Sequence, residues 1–269
     1  MKRLAVLGHP VAHSRSPAMH NAALAELGLA GEWSYEAIDV APDEFEARVR
    51  SMAAGECVGA NLTIPHKEAA LALADELSET AREIGAANTL SFVDGAIRAD
   101  NTDAPGFLAA LGERAGGERV LVLGAGGAAR AVVWALLREG VEVGVWNRTE
   151  LRSRNLCDDL GGTPVAEPDA SEYELIVNTT AVGLGGEDPF AELPLSADGF
   201  GPGQTVVDMV YGDEPTHLLA AAAAAGATTV DGIEILVRQG ALSLEIWTGL
   251  APPLGTMRAA ARAERPLAS

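Results

Sequence analysis

Val120-Leu121-Val122-Leu123-Gly124-Ala125-Gly126-Gly127-Ala128-Ala129-Arg130 is the stretch from which the rest of the chain is read. Four apolar, mostly branched residues in a row predict a strand buried on both faces, as in a parallel sheet. The turn that follows fits G-x-G-x-x-G/A, with Ala129 in the last place. A helix pattern runs from Ala128 to Glu139, with Val132, Val133, Leu136 and Leu137 on one face and Gly140 as its stop. Gly124 permits the sharp turn, and Gly126 lets backbone N–H groups approach a pyrophosphate. Ala129 is small enough for helix to pack on strand. The helix N-terminus contributes donors and partial positive charge. The strand before and the helix after distinguish a dinucleotide site from a glycine-rich turn without a ligand.

The next strand, Glu142 to Trp146, ends in Asn147-Arg148-Thr149, about twenty residues past the glycines. An NAD site usually places Asp or Glu there to hold the ribose 2′-OH. No acid occupies 147, 148 or 149. Arg148 is instead placed to pair with a 2′-phosphate, and Thr149 adds a hydroxyl, so the cofactor expected is NADP. The plainer reading of Arg148 is a solvated surface arginine, with Glu150 beside it.

At 269 residues the chain suits one large or two modest domains. It is 48% hydrophobic but 4% aromatic, so its core must be mostly Ala, Val and Leu. No stretch approaches the ~20 apolar residues of a membrane span. Met1-Lys2-Arg3-Leu4 runs straight into a strand, without the apolar region of a signal peptide. Cys57 and Cys157 show no metal or redox spacing, so a reducing cytoplasm is expected. The net charge of −19 argues against nucleic acid and anionic membranes as partners. A monomer or homodimer acting on a small molecule is expected. The acidity fits a salt-adapted source and a GC-rich genome with an acidic proteome equally well. Only Lys2 and Lys67 are lysines. A lysine kept among arginines points to a role arginine cannot fill, since arginine does not deprotonate in proteins.

Upstream of the glycine turn, Leu4 to Gly8 reads as a strand, and Ser16-Pro17 starts a helix to Leu27 with Ser16 as cap. Strands are predicted at Trp33 to Val40 and Cys57 to Leu62, and a helix at Asp43 to Ala54. A helix is also predicted from the Thr63-Lys67 turn through Ala74, and another at 78–84 capped by Ser78. A hairpin turns at Asp94-Gly95, a helix covers 103–111, and Gly116-Gly117 marks a boundary. Downstream, strands at 175–177, 205–208 and 228–231 alternate with helices at 150–160, 217–225 and 233–248, and 257–262 closes the chain. Two α/β units in series follow, the dinucleotide fold second. Substrate contacts are then expected at strand ends of the first unit.

Four polar clusters stand out there: Ser14-Arg15-Ser16-Pro17, Asn61 to Lys67, Gly85-Ala86-Ala87-Asn88-Thr89, and Asn101-Thr102-Asp103. They hold hydroxyls, amides, one amine and one carboxylate, and no Cys or Glu cage for a metal. Singly each has a structural reading: Ser16 and Asp103 as helix caps, Asn88 in a turn, Lys67 as a solvated helix lysine.

Their order resembles the shikimate dehydrogenase family. The likeness covers Ser-x-Ser-Pro at 14–17, Gly-x-Asn-x-Thr-x-Pro-x-Lys at 59–67, and Gly-Ala-x-Asn-Thr at 85–89. It continues through Asn-Thr-Asp-x-x-Gly at 101–106, the glycine turn, Asn-Arg-Thr at 147–149, Asp231-Gly232, Gln239 and Trp247-Thr248-Gly249. The resemblance implies an α/β protein with a substrate-binding catalytic domain at 1–103, onto which 240–269 packs back, and a Rossmann-type NADP domain at 104–239. It implies reversible NADPH-dependent reduction of 3-dehydroshikimate to shikimate, on the way to aromatic amino acids. Lys67 and Asp103 would form the catalytic pair. Ser14, Ser16, Asn61, Thr63, Asn88, Tyr211 and Gln239 would hold the substrate. Glu79, Gly124, Ala125, Gly126, Gly127, Ala128, Asn147, Arg148, Thr149, Thr179, Met209 and Gly232 would hold NADP. The family's Tyr-x-Pro-x-x-Thr appears here as Tyr211-Gly212-Asp213-Glu214-Pro215-Thr216, with the proline two places late. Ile235 and Leu184 stand where methionines are common. His13 and His66 read as loop residues, and His20 as no catalyst. A quinate/shikimate dehydrogenase with broader cofactor use and a non-catalytic NADP-binding paralogue remain the alternatives.

Overall fold

The computed structural model describes residues 1–112 and 119–263, so the expected Gly116-Gly117 boundary lies outside the described residues. The chain divides into two units, Met1–Gly106 with Leu236–Ser269, and Phe107–Ile235.

The first unit carries β1 (Lys2–Gly8), α1 (Ser16–Glu26), β2 (Trp33–Asp39), α2 (Phe45–Ala53) and β3 (Cys57–Leu62). β4 (Glu76–Leu77), α3 (Glu79–Ile84), β5 (Thr89–Val93), β6 (Ala96–Asp100) and the start of α4 (Asp103–Leu111) follow. Its sheet runs β2-β1-β3-β5-β6-β4. β2, β1 and β3 are mutually parallel, and β3, β5 and β6 alternate in direction. The β5–β6 turn has positive φ at both Asp94 (52°) and Gly95 (82°), the hairpin geometry that an Asp-Gly pair favours. One face of this sheet packs Phe45, Val49 and Met52 of α2 on Leu7, Leu62 and Leu90. Each such fully buried aliphatic side chain contributes about 1.5–3 kcal/mol.

The second unit carries β7 (Arg119–Leu123), α5 (Gly127–Arg138), β8 (Glu142–Trp146), α6 (Glu150–Leu160) and β9 (Thr163–Pro164). β10 (Leu175–Asn178), β11 (Thr205–Asp208), α7 (His217–Ala224), β12 (Thr228–Asp231) and the start of α8 (Gly232–Thr248) complete it. All six strands are parallel, in the order β12-β11-β10-β7-β8-β9. Counted within the unit and read from β9, this is 3-2-1-4-5-6, the doubly wound dinucleotide order, whose direction of winding reverses between β7 and β10. Val120, Leu121, Val122 and Leu123 are all fully buried, as a strand covered on both faces requires.

The rest of α8 and α9 (Leu254–Arg262) belong to the first unit. Trp247 donates its Nε1–H to the Leu90 carbonyl at 3.0 Å. Arg15, buried within the Ser14–Pro17 motif, donates to the carbonyls of Ala261 (3.2 Å) and Ala263 (2.7 Å), at the C-terminal end of α9. A cation there meets both orphan carbonyls and the negative end of the helix dipole.

Two local expectations change. Ser16 is the first helical residue of α1 and not its cap; the Ser14 hydroxyl accepts the Ser16 N–H at 3.2 Å. The helix expected through Ala74 is only a 3-10 turn at Ala69–Ala72. Tertiary contacts hold this segment: His66 Nε2 meets Val40 O at 2.8 Å, and Asp75 N bonds Ile97 O. His66 lies in a loop, as expected, and is buried there and stacked on Phe45, with centroids 4.2 Å apart, so it is a packing residue.

His20 is fully buried on α1, lies flat on Tyr35 at 4.2 Å, and among the described residues has no hydrogen-bond partner on either nitrogen. Burial pushes its pKa down to about 3. An unfolded histidine titrates near 6.5, so between these values the unfolded chain binds one more proton. The stability held by neutral His20 is therefore complete above about pH 6.5 and lost as pH falls, at roughly 1.4 kcal/mol per pH unit. Urea unfolding of wild type and His20→Leu at pH 4–7 is expected to show the steeper acid loss in wild type alone.

Candidate active site

The Asn88 side chain organises the first unit's polar residues. It lies just ahead of β5 and is 1% exposed. Its Oδ1 accepts the backbone N–H of Thr102 at 2.7 Å, which fixes the amide orientation. Its Nδ2 therefore faces Asp103 Oδ1 (2.9 Å), Gln239 Oε1 (3.0 Å) and Thr102 Oγ1 (2.9 Å). Asp103 begins α4, and its second oxygen, Oδ2, receives Lys67 Nζ at 2.6 Å. Lysine and aspartate side chains are 13% and 5% exposed, so the pair is shielded from bulk water on most sides. The Lys67 carbonyl accepts from Ala87 N at 2.8 Å, which ties the lysine loop to the strand entry carrying Asn88.

Asn61, in β3, donates Nδ2 to the Asn88 carbonyl (3.1 Å) and to Ser243 Oγ (2.9 Å), and its Oδ1 accepts from Tyr35 OH at 2.8 Å. Gln239 reaches Asn88 because α4 has glycine at 106. A Cβ there would lie 2.7 Å from both the Cβ and the backbone nitrogen of Gln239. Thr63 N bonds Leu7 O beyond the end of β3. Ser14 and Ser16 sit at the entry of α1, half-buried and buried respectively.

In the second unit the glycine turn lies at the switch point. Gly124 has φ +113°, and a Cβ there would come within 2.5 Å of Thr179 Oγ1. Thr179 donates that hydroxyl to the Leu123 carbonyl at 2.7 Å, joining the ends of β7 and β10. Gly126 caps α5 without a side chain, and a Cβ built on it meets nothing within 4 Å. The helix start is thus open and its first N–H groups are not capped by a side chain, which suits a pyrophosphate. Asn147 Nδ2 bonds Thr149 O at 2.9 Å, shaping the end of β8. Arg148 is 82% exposed there, with Nη1 3.3 Å from Glu192. It borders a cavity of about 290 Å³ with Trp146, Asn147, Thr180 and Val182. Met209 and Gly232 are adjacent, since a Cβ at 232 would be 2.5 Å from the Met209 carbonyl.

Asp208, ending β11, accepts from Asn178 Nδ2 (2.9 Å), Val210 N (3.0 Å) and Thr216 Oγ1 (2.6 Å). Burial still pushes its carboxyl up to about 6. These bonds fasten the Tyr211 to Thr216 loop at Thr216, which also caps α7, so the loop is anchored with its proline at 215. Tyr211 lies in this loop, in the second unit. Glu79 is an exposed residue of α3 in the first unit.

The residues not singled out from the sequence are Tyr35, Thr89, Thr102 and Ser243. Thr89 and Thr102 lie within the quoted motifs. Ser243 is one helical turn beyond Gln239, which places both on one face of α8.

A unit with the doubly wound dinucleotide order and a unit holding a shielded lysine–carboxylate pair fit a nicotinamide-dependent dehydrogenase. Three family models match the chain: the shikimate dehydrogenase substrate binding domain over residues 6–90, shikimate/quinate 5-dehydrogenase over 109–182, and the shikimate 5′-dehydrogenase C-terminal domain over 232–262. A shikimate dehydrogenase (NADP(+)) from Thermus thermophilus is 49% identical over 266 residues, covering 97% of this chain and 98% of the relative. A solved shikimate 5-dehydrogenase of that organism, in complex with NADP(H) and shikimate, matches with a TM-score of 0.87 at 47% identity, over 97% of this chain and 99% of the other. The shikimate dehydrogenase structure from Aquifex aeolicus matches with a TM-score of 0.91 at 36% identity, over 98% of each. The chain belongs to the shikimate dehydrogenase family.

Asn88→Ala would strand the Thr102 N–H and the Gln239 carbonyl in a buried site. A loss of about 2–4 kcal/mol of unfolding free energy is expected, measured by urea titration.

Proposed function

We propose that this protein catalyses the reversible NADPH-dependent reduction of 3-dehydroshikimate to shikimate. It acts in the cytoplasm, as a monomer or homodimer, in the route to aromatic amino acids. The observation that carries this reading is the 2.6 Å Lys67–Asp103 contact, held from behind by Asn88.

Reducing a ketone leaves an alkoxide that needs a proton. Lys67 Nζ is the general acid that supplies it, and its charge stabilises the oxygen as negative charge develops. Asp103 fixes Nζ through Oδ2, while Asn88 keeps Oδ1 occupied and the carboxylate from rotating. In the oxidative direction Lys67 takes the proton back. On the family likeness, Ser14, Ser16, Asn61, Thr63, Asn88, Gln239 and Tyr211 hold the substrate's carboxylate and hydroxyls. A site rich in hydroxyls and amides rejects analogues that lack the matching groups, because its own buried groups are then left unpaired.

Gly124 to Ala128 and the start of α5 hold the pyrophosphate, and Asn147, Arg148 and Thr149 hold the adenosine ribose with its 2′-phosphate. Thr179, Met209 and Gly232 line the remainder of the cofactor. Bound NADPH supplies the hydride. Glu79 is assigned to the cofactor on the family likeness.

Reduced-nicotinamide absorbance, with shikimate and either NADP or NAD at low and high salt, tests the reading. Strong signal with NADP and little with NAD is expected. Equal signal with NAD and with quinate would move the protein to the quinate/shikimate class. No signal from folded protein would leave the non-catalytic paralogue. Lys67→Ala and Asp103→Asn are each expected to lower kcat by ~10²–10⁴. Arg148→Gln is expected to raise KM for NADP and leave that for NAD unchanged.

A further inference from the structure

The threonine that follows Asn88 and the threonine that precedes Asp103 have no part in the chemistry above, yet both are buried against it. Thr89 is 1% exposed, Thr102 3%, and Ser243, from the facing helix α8, 0%. Their three hydroxyl oxygens form a triangle, with Thr89–Ser243 at 2.8 Å, Thr102–Ser243 at 3.1 Å and Thr89–Thr102 at 3.2 Å. We propose that this hydroxyl triangle is a positioning device for the reaction: it sets the Asn88 amide, and through it the Asp103 carboxylate that aims Lys67.

Proton accounting supports the assignment. Each hydroxyl has one proton and can also accept. Asn61 Nδ2 donates to Ser243 Oγ at 2.9 Å and lies 3.3 Å from Thr89 Oγ1. Asn88 Nδ2, whose two protons face Asp103 and Gln239, lies 2.9 Å from Thr102 Oγ1. Protons thus enter the triangle from the Asn61 amide. They leave toward two carbonyl acceptors, Asn88 Oδ1 (3.2 Å from both threonine hydroxyls) and the Gln239 backbone oxygen (3.1 Å from Ser243 Oγ). Asn88 therefore meets the triangle on both sides of its amide, and Gln239 meets it through the backbone. A fully satisfied buried network of this kind holds its members in one arrangement.

The chemistry makes orientation matter. Were the Asn88 amide to turn over, its oxygen would face Asp103 Oδ1, acceptor against acceptor, and the carboxylate would move. Displacements of about 1 Å at a reacting group can cost ~10²-fold in rate. Threonine at 89 and 102 supplies the hydroxyl together with a methyl that packs, a combination neither valine nor serine offers in full. Thr89, Thr102 and Ser243 touch none of the reacting atoms on this assignment, so they are positioning residues.

The inference rests on the proposed activity, and its test separates the two. Thr89→Val and Thr102→Val keep the shape and remove the hydroxyl. Ser243→Ala removes one hydroxyl with the least change in volume, and carries the test should a valine variant fail to fold. Each folded variant is expected to lose about tenfold in kcat, with a smaller change in KM for shikimate. The limb of the pH–kcat profile set by the Lys67–Asp103 pair is expected to move. Thr89→Ser and Thr102→Ser are expected to restore both. Asn88→Ala is expected to lower kcat less in the Thr102→Val background than in wild type, because both act through one amide. A purely structural triangle would lower the unfolding midpoint and leave kcat and its pH profile unmoved. That result, or strict additivity with Asn88→Ala, overturns the proposal while the activity stands. A folded wild type inert toward shikimate overturns the activity itself.

Discussion

One side-chain amide fixes the first unit's chemistry. The Thr102 backbone N–H needs an acceptor in a buried place, and Asn88 Oδ1 is the acceptor it has. Once that bond is made, the amide can present only N–H groups to the other side, where Asp103 and Gln239 wait. The carboxylate is thus held at one oxygen and offers the other to Lys67. Buried polar groups are stable only when paired, and here the pairing that satisfies the fold also aims the catalytic lysine. Asn61 repeats the arrangement one strand away, joining Tyr35 of β2, the Asn88 backbone and Ser243 of α8.

The second unit depends on a different constraint. Six parallel strands in doubly wound order open a crevice only where the winding changes direction. That point lies between β7 and β10, and both strand ends are shaped for close approach: glycine at 124, and Thr179 turned onto the Leu123 carbonyl. Side chains are absent where backbone donors must be reachable. The buried Asp208 network behind them fixes the neighbouring loops through Asn178 and Thr216.

How much of this was legible depended on distance along the chain. The strand, turn and helix at 120–139 are local, and their pattern suffices to read them. Lys67, Asn88 and Asp103 stood out because unusual residue types lay in short motifs, although nothing local said that they meet. Ser243 carried no signal, because its partner Asn61 is 182 residues away and a serine on a helix is unremarked. The helix expected after Thr63 failed for the same reason. Its apolar spacing was real, but the bonds that decide the segment come from Val40, Ile97 and Asp103. β9, two residues long, is too short for any periodicity to reveal. Arg15 looked like part of a polar motif and serves as the clasp on the end of α9.

The clasp and the α8 contacts make the first unit discontinuous, and this orders events during synthesis. When residue 235 has been made, every strand of the second unit exists, and that unit is continuous in sequence. The first unit at that moment has its sheet but lacks Gln239, Ser243, Trp247 and the α9 carbonyls that Arg15 binds. Asn88 and Asn61 must wait, hydrated, for the last part of the chain. Domains generally fold as units while synthesis proceeds, so the dinucleotide-type fold can be complete before the residues around Lys67 are locked. The lysine–carboxylate site, although it draws on residues ahead of the dinucleotide-type fold, is finished after that fold.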